Sequence, residues 1–191
     1  MASDTRQRLI DAATKRFYRD GFRNVGLDQI LSDVGISKTA FYKHFDCKES
    51  LMLAVLEDHN RLMQDTFRQM MRQRGGESPA GQLCALMDVV ETIIESDEYQ
   101  GCIFVNVSME FPLPHEPAHV AAGRSKADIE EIVCGVATEA GAANPRALAQ
   151  ELCLIMEGAY VTRHVTGSRE TIAIARRLAA RAIENHLGAA R

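Results

Sequence analysis

Apolar residues recur at intervals of three and four along nearly the whole chain, and turn-forming residues interrupt them at definite places. Leu9, Ile10, Ala13 and Phe17 predict a helix over 3–20, with Ser3 or Asp4 as its cap and Gly21 as a left-handed stop. Leu27, Ile30, Leu31 and Val34 form one face of a second helix over 27–34. Gly35-Ile36 reads as a tight turn, after which Ser37 caps a third helix, 38–45, with Phe41 and Phe45 inward at i, i+4. Asp46 and Glu49 have the spacing of a capping box opening a fourth helix. That helix carries apolar positions from Leu51 to Met71 and ends at Arg74, before Gly75-Gly76. Further helices are expected at about 80–96, 101–111, 117–140, 145–166 and 168–187, separated by glycine and proline breakers. No segment alternates with period two, so the predicted fold class is all-α. The elements divide into an N-terminal three-helix domain, 1–46, and a C-terminal helical domain, 47–191.

The second and third helices, joined by Gly35-Ile36, have the dimensions of a helix-turn-helix. Ala40, Phe41 and Phe45 anchor the third helix, whereas Lys38, Thr39, Tyr42 and Lys43 point away and Ser37 sits at its amino end. Those outward types suit a DNA groove: lysine meets guanine acceptors, threonine a base edge or a thymine methyl, and tyrosine and lysine bond phosphates. Eight residues rising 1.5 Å each give a rod of about 12 Å, close to the major-groove width. A plain three-helix bundle with a solvated Lys/Tyr face carries the same spacing.

The wording of the segment separates these readings. Gly21-Phe22, Ile30, the run from Gly35 to Phe45 (Gly-Ile-Ser-Lys-Thr-Ala-Phe-Tyr-Lys-His-Phe) and Lys48-Glu49-Ser50-Leu51 resemble the signature of the TetR family of bacterial transcriptional regulators. The resemblance covers about residues 5–55, and Gly101 to Glu110 resembles a Gly-Cys-x-Phe-x-Asn-x-x-x-Glu run of a large subgroup. It implies a homodimer reading a palindromic operator in double-stranded DNA, most simply as a repressor released by a small effector. Carried over by position, it places Ser37, Lys38, Thr39 and Tyr42 on bases and phosphates, and His44 and Lys48 on phosphates, with Lys43 beside them. The chain departs from the pattern at Gly26, where Ser or Thr usually caps the second helix, and at Val25, where Thr is common. Leu31 and Val34 replace the usual alanines, which makes the packing bulkier.

From Ile36 to Arg74 there is neither glycine nor proline, so the fourth helix is expected to act as a lever between reader and sensor. The C-terminal domain offers His59, Met63, Phe67, Met87, Phe104, Met109, Phe111 and Tyr160 as lining for a small hydrophobic or aromatic effector; each is equally readable as core. Stripes on the last two helices, including Leu152, Ile155 and Ala159 on one and Ala175, Leu178 and Ala182 on the other, suggest a dimer surface, or else packing inside one protomer.

Charge supports the division of labour. Residues 1–50 hold nine Lys/Arg and seven Asp/Glu, whereas the whole chain has net charge −4, so the basic part is the reader. The five cysteines form no CxxC pattern, and no export signal or apolar run long enough to span a bilayer is present, so a reduced, cytoplasmic protein with no membrane partner is expected. His115-Glu116-Pro117-Ala118-His119 spells the H-E-x-x-H string of zinc proteases, but Pro117 lies inside it and biases Glu116 away from helix. Cys47, in a first helical turn beside Lys48, has the setting of a redox-sensitive thiol or of an ordinary small residue. No nucleophile–base arrangement, phosphate loop or cofactor fingerprint is visible, so neither enzyme activity, cofactor nor metal is expected.

Overall fold

The computed structural model describes residues 2–188, with side chains from Asp4 to Gly188; a cap by Ser3 lies outside the described side chains. Among the described residues, ten helices follow in order: α1 Ala2–Asp20, α2 Leu27–Val34, α3 Lys38–Phe41, α4 Lys48–Gly75, α5 Pro79–Cys84, α6 Leu86–Ile94, α7 Ile103–Glu110, α8 Pro117–Glu139, α9 Pro145–Thr166 and α10 Glu170–Leu187. No strand occurs among the described residues. The segment expected as one helix at 80–96 is two, because the backbone tightens at Ala85 (ψ −7°), where no glycine or proline announces it.

The chain forms two compact units. The first runs through Leu62 and takes back Ile103–Ser125; the second comprises Met63–Cys102 and the chain from Lys126 on. The compact division therefore falls within the continuous helix α4, rather than at 46/47, and α7 joins the N-terminal helices.

In the first unit, Leu9, Ile10, Ala13 and Phe17 of α1 are buried, as are Ile30, Leu31 and Val34 of α2 and Phe41 of α3. The bulky Leu31 and Val34 are therefore accommodated as core. Arg16 of α1 donates to both Asp33 oxygens at 2.6 and 2.8 Å, and Arg8 to the Val34 carbonyl at 2.7 Å, fixing how α1 crosses α2.

In the second unit, α5, α6, α8, α9 and α10 surround a core that includes Phe67, Met71, Leu86, Val90, Ile132, Leu148, Leu152 and Ile183. Buried alanines on facing sides, Ala149 and Ala159 of α9 and Ala175, Ala179 and Ala182 of α10, let these two helices approach closely. Arg176 bridges Asp88 and Glu91 at 2.6 and 2.5 Å, tying α10 to α6.

The crossing of α4 with α5 depends on two glycines. A Cβ on Gly75 would strike the backbone of Gly81 and Gln82, and one on Gly81 would strike the Gly75 carbonyl. Gly75→Ala is expected to destabilise the protein by ~1–3 kcal/mol, as overpacking does where backbone cannot yield. Gly135→Ala, in exposed mid-α8 with nothing within 4 Å of its added methyl, gains helix propensity worth up to ~1 kcal/mol. Denaturant titration of the pair checks this: equal midpoints would refute the close crossing.

Candidate nucleic-acid interface

The reader is held from below by aromatic packing. Phe17 stacks on Phe22 at 5.0 Å and Phe41 on Phe45 at 5.8 Å, all four buried. Gly26 precedes α2 in extended conformation, and the Gln29 side chain accepts from its N–H at 2.8 Å. This supplies half of a capping box and replaces the hydroxyl cap that the sequence lacks. Gly35 ends α2 at φ 73°, where a side chain would be strained, and its N–H returns to the Leu31 carbonyl at 2.9 Å.

Ser37 Oγ accepts from the Ala40 N–H at 3.2 Å and starts α3. The rod expected over 38–45 is shorter: α3 proper ends at Phe41, and His44 N–H donates to the Phe41 carbonyl at 2.8 Å in a tighter i→i+3 turn. The outward register survives, because this turn still winds the chain in the same sense. Ser37, Lys38, Thr39, Tyr42 and Lys43 are exposed, Tyr42 by 57%, and His44 is half-buried. One outward surface thus carries hydroxyl, cation and phenol over an apolar base.

Two of the expected cations are engaged. Lys38 lies 2.9 Å from Asp28 on α2, a hydrogen-bonded pair that raises its pKa. Both groups are exposed, so solvent screens the pair and it yields readily to a phosphate or base acceptor. Lys48 is turned inward instead: its Nζ donates to the Phe22 carbonyl at 2.6 Å, and burial pulls its pKa below the ordinary lysine value. The expected outward phosphate contact of Lys48 is therefore corrected to a tie between α4 and the α1–α2 turn. Sequence reasoning missed Arg6, an exposed cation whose guanidinium lies 5.1 Å over the Phe45 ring beside the reader.

The α4 cap also differs from expectation. Cys47 and Ser50, not Asp46 and Glu49, close the box: Ser50 N–H donates to Cys47 Sγ at 3.4 Å and Cys47 N–H to Ser50 Oγ at 3.2 Å. The exposed Cys47 thiol thus serves as the cap acceptor.

This geometry coincides with sequence relationships over most of the chain. The model for bacterial regulatory proteins of the tetR family matches residues 9–55, and the tetracyclin repressor-like C-terminal domain matches residues 79–179. The chain belongs to the TetR family. Its fold is that of SCO4454, a TetR-family transcriptional regulator from Streptomyces coelicolor, at 24% identity, TM-score 0.87 and 97% coverage of each chain. It is also that of the reduced form of NemR from Escherichia coli, at 20% identity and TM-score 0.83, over 93% of this chain and 96% of that one. The regulator YjdC of Escherichia coli is 21% identical over 174 residues, 91% of each protein. A helix-turn-helix regulator from the lacX 3' region of Lactococcus lactis is 26% identical over 108 residues, and the match spans only 55% of that relative. The chain is a helix-turn-helix transcriptional regulator of TetR type.

In this TetR-family chain the effector candidates separate. Within the first unit, His59 packs its ring 5.7 Å from that of buried Phe104, and burial lowers its pKa, so the imidazole is neutral at pH 7. Met109 is 77% exposed and lines no interior; its position on α7 faces opposite to buried Val107. Phe111 lies under the Arg23 guanidinium at 4.8 Å, against the α1–α2 turn. Within the second unit, Phe67 and Met87 are core, with Met63 packed on them and Tyr160 nearly buried.

The dimer stripe needs a similar correction. Leu152, Ala159, Ala175 and Ala182 are buried inside the protomer and Ile155 packs against its core; of the six, Leu178 alone is exposed. The three alanines among them serve α9–α10 packing within one chain. The outward apolar residues of the same helices are Leu154, Val161 and Val165 of α9 and Ile174 and Leu178 of α10.

The H-E-x-x-H string is spent on starting α8. His115 lies before the helix, Glu116 Oε2 accepts from Leu113 N–H at 2.9 Å, and His119 Nδ1 bonds the Phe111 carbonyl at 2.9 Å. No cluster of three metal-ligating side chains occurs among the described residues. No helix among them is long and apolar enough to cross a membrane.

Proposed function

We propose that the protein is a repressor that binds a palindromic operator as a homodimer and is released by a small hydrophobic or aromatic effector. The observation that carries this reading is the exposed Ser37, Lys38, Thr39, Tyr42 and Lys43 surface, mounted on buried Phe41 and Phe45. Ser37, Thr39 and Tyr42 address base edges and phosphates; Lys43 and the half-buried His44 reach the flanking backbone.

A second copy fits the outward row of α9 and α10, since five large apolar side chains on two adjacent helices present water with a surface that a two-fold related copy would cover. Two readers then meet successive major grooves about 34–36 Å apart. The Met- and Phe-rich interior supports an apolar effector, and neutral His59 suits an uncharged polar group on it.

Selection of duplexes from a random pool by the full-length protein tests the reading. The enriched sequence is expected to be an inverted repeat with half-sites about 10 base pairs apart. A screen of uncharged aromatic compounds by thermal shift is expected to yield one that weakens binding to that duplex by about 5- to 150-fold. Enrichment of no duplex, or of a sequence without two-fold symmetry, refutes the homodimeric reader.

A further inference from the structure

The turn between α1 and α2 is gripped from both sides by residues outside the three-helix reader. Gly21 ends α1 at φ 84°, and its N–H returns to the Phe17 carbonyl at 3.0 Å. The next two backbone N–H groups leave the helix side by side, a small concave anion site of the kind that follows a left-handed residue. Glu110 fills it: Oε1 accepts from Phe22 N–H at 2.9 Å and Oε2 from Arg23 N–H at 2.7 Å. The turn is shaped for this carboxylate, since a Cβ on Gly21 would come within 3.2 Å of Glu110 Oε1.

On the opposite pole, Lys48 Nζ donates to the carbonyls of Phe22 at 2.6 Å and Arg23 at 3.4 Å. The Phe22–Arg23 peptide group therefore lies between an anion on its N–H and a cation on its carbonyl, both acting along its dipole, while the Phe22 N–H and the Arg23 carbonyl on either side each meet one of the two charges. Glu110 is the last residue of α7 and Lys48 the first of α4. Around the same turn, the Arg23 guanidinium covers the Phe111 ring and lies 3.8 Å from Glu116, and an open cleft of about 590 Å³ runs between Phe22, Lys48, Met52 and Phe111.

What the turn holds is the pose of the reader. Phe22 is locked into the core by stacking on Phe17, Val25 is buried, and Gly26 opens α2. Because Arg16 clasps Asp33 and the core joins α1 to α2 and α3, the three helices respond to the turn as one body. The chain re-enters this unit at Ile103, so α7 is the first element of the returning segment.

We propose that Glu110 is the positioning residue through which α7 sets the pose of the DNA-reading helices, and that withdrawal of its carboxylate from the α1–α2 turn uncouples the protein from its operator. This rests on the DNA-reading function proposed above. It gives the signal a route through α7 that acts on the turn directly, beside the continuous helix α4.

Hydrogen exchange on the full-length protein, with and without the duplex selected by the wild type, tests it. Glu110→Gln keeps size but replaces one acceptor by an NH2 donor facing a backbone N–H, and Glu110→Asp keeps the charge but is one methylene too short to span both N–H groups. In the wild type, saturating duplex is expected to slow exchange across 103–111 about fivefold or more, since binding at the reader must be felt at α7 if α7 is felt at the reader. Glu110→Gln should weaken duplex binding about tenfold, speed exchange at Phe22 and Arg23, and abolish the response of α7 even when the duplex is saturating. Glu110→Asp should fall between the two, and it carries the test if the glutamine variant does not fold. A residue with only a structural role would lower the unfolding temperature but leave the α7 response intact; that result in Glu110→Asp or Glu110→Gln overturns the proposal. A wild type that selects no duplex overturns the DNA-reading function itself, and is seen before any variant is compared.

Discussion

Thr39→Ala combined with Tyr42→Ala lowers affinity for the selected operator by roughly 30-fold to 20,000-fold, while the protein stays folded. Each good contact to a base edge is worth ~1–3 kcal/mol, so two lost contacts sum to ~2–6 kcal/mol. The fold is spared because neither side chain supports it. Thr39 is exposed, and the N–H that needs a cap, that of Ala40, is already satisfied by Ser37. Tyr42 is more than half exposed and meets the buried Phe41 ring edge-on at 5.3 Å. Tyr42→Phe separates the roles, since it keeps that ring contact and removes the hydroxyl. Fluorescence anisotropy at one fixed salt concentration is the measurement, because counterion release shifts every affinity with salt. Undiminished affinity in the double variant, with unfolding temperature unchanged, would take the reading surface away from α3.

Charge on the outward face of α9 and α10 has the second large effect. Leu154→Glu with Leu178→Glu is expected to turn the proposed dimer into monomers at micromolar concentration and to reduce binding of the inverted repeat to the level of a half-site. Both leucines are exposed in the protomer, 75% and 47% respectively, so the substitutions cost little folding stability. Around a two-fold axis they introduce four carboxylates into an apolar contact, and each charge buried there without a partner costs several kcal/mol. Leu152→Glu is the informative contrast: Leu152 is fully buried in the protomer, so it should unfold the chain rather than dissociate it. Sedimentation velocity and thermal unfolding together distinguish these outcomes. A wild type that sediments as a monomer at micromolar concentration would remove the interface from this face.

Among the properties legible in the sequence, those governed by neighbours three or four residues apart were read best. Apolar spacing located α1, α2, α4, α8, α9 and α10, while Gly21, Gly35 and Ser37 marked stops and starts, because helix periodicity and capping are local interactions. The outward register of Lys38, Thr39, Tyr42 and Lys43 follows from the same spacing, and the ordered string from Gly35 to Phe45 led to the family. Even local reading failed where two caps competed: Cys47–Ser50 and Asp46–Glu49 both have the required spacing, and the tertiary path of the chain selects the first.

Which side of an apolar stripe turns inward was decided only by the fold. Ala159, Ala175 and Ala182 are as compatible with a partner copy as with the neighbouring helix; close α9–α10 packing claims them for the protomer and leaves Leu154, Val161 and Ile174 outside. Met109 and Lys48 were misjudged for the same reason, since a side chain's type does not say what lies opposite it. The grip of Glu110 on Phe22 and Arg23 spans more than 80 residues of chain. No periodicity or cap can encode such a contact, because it exists only once folding has placed the end of α7 against the α1–α2 turn.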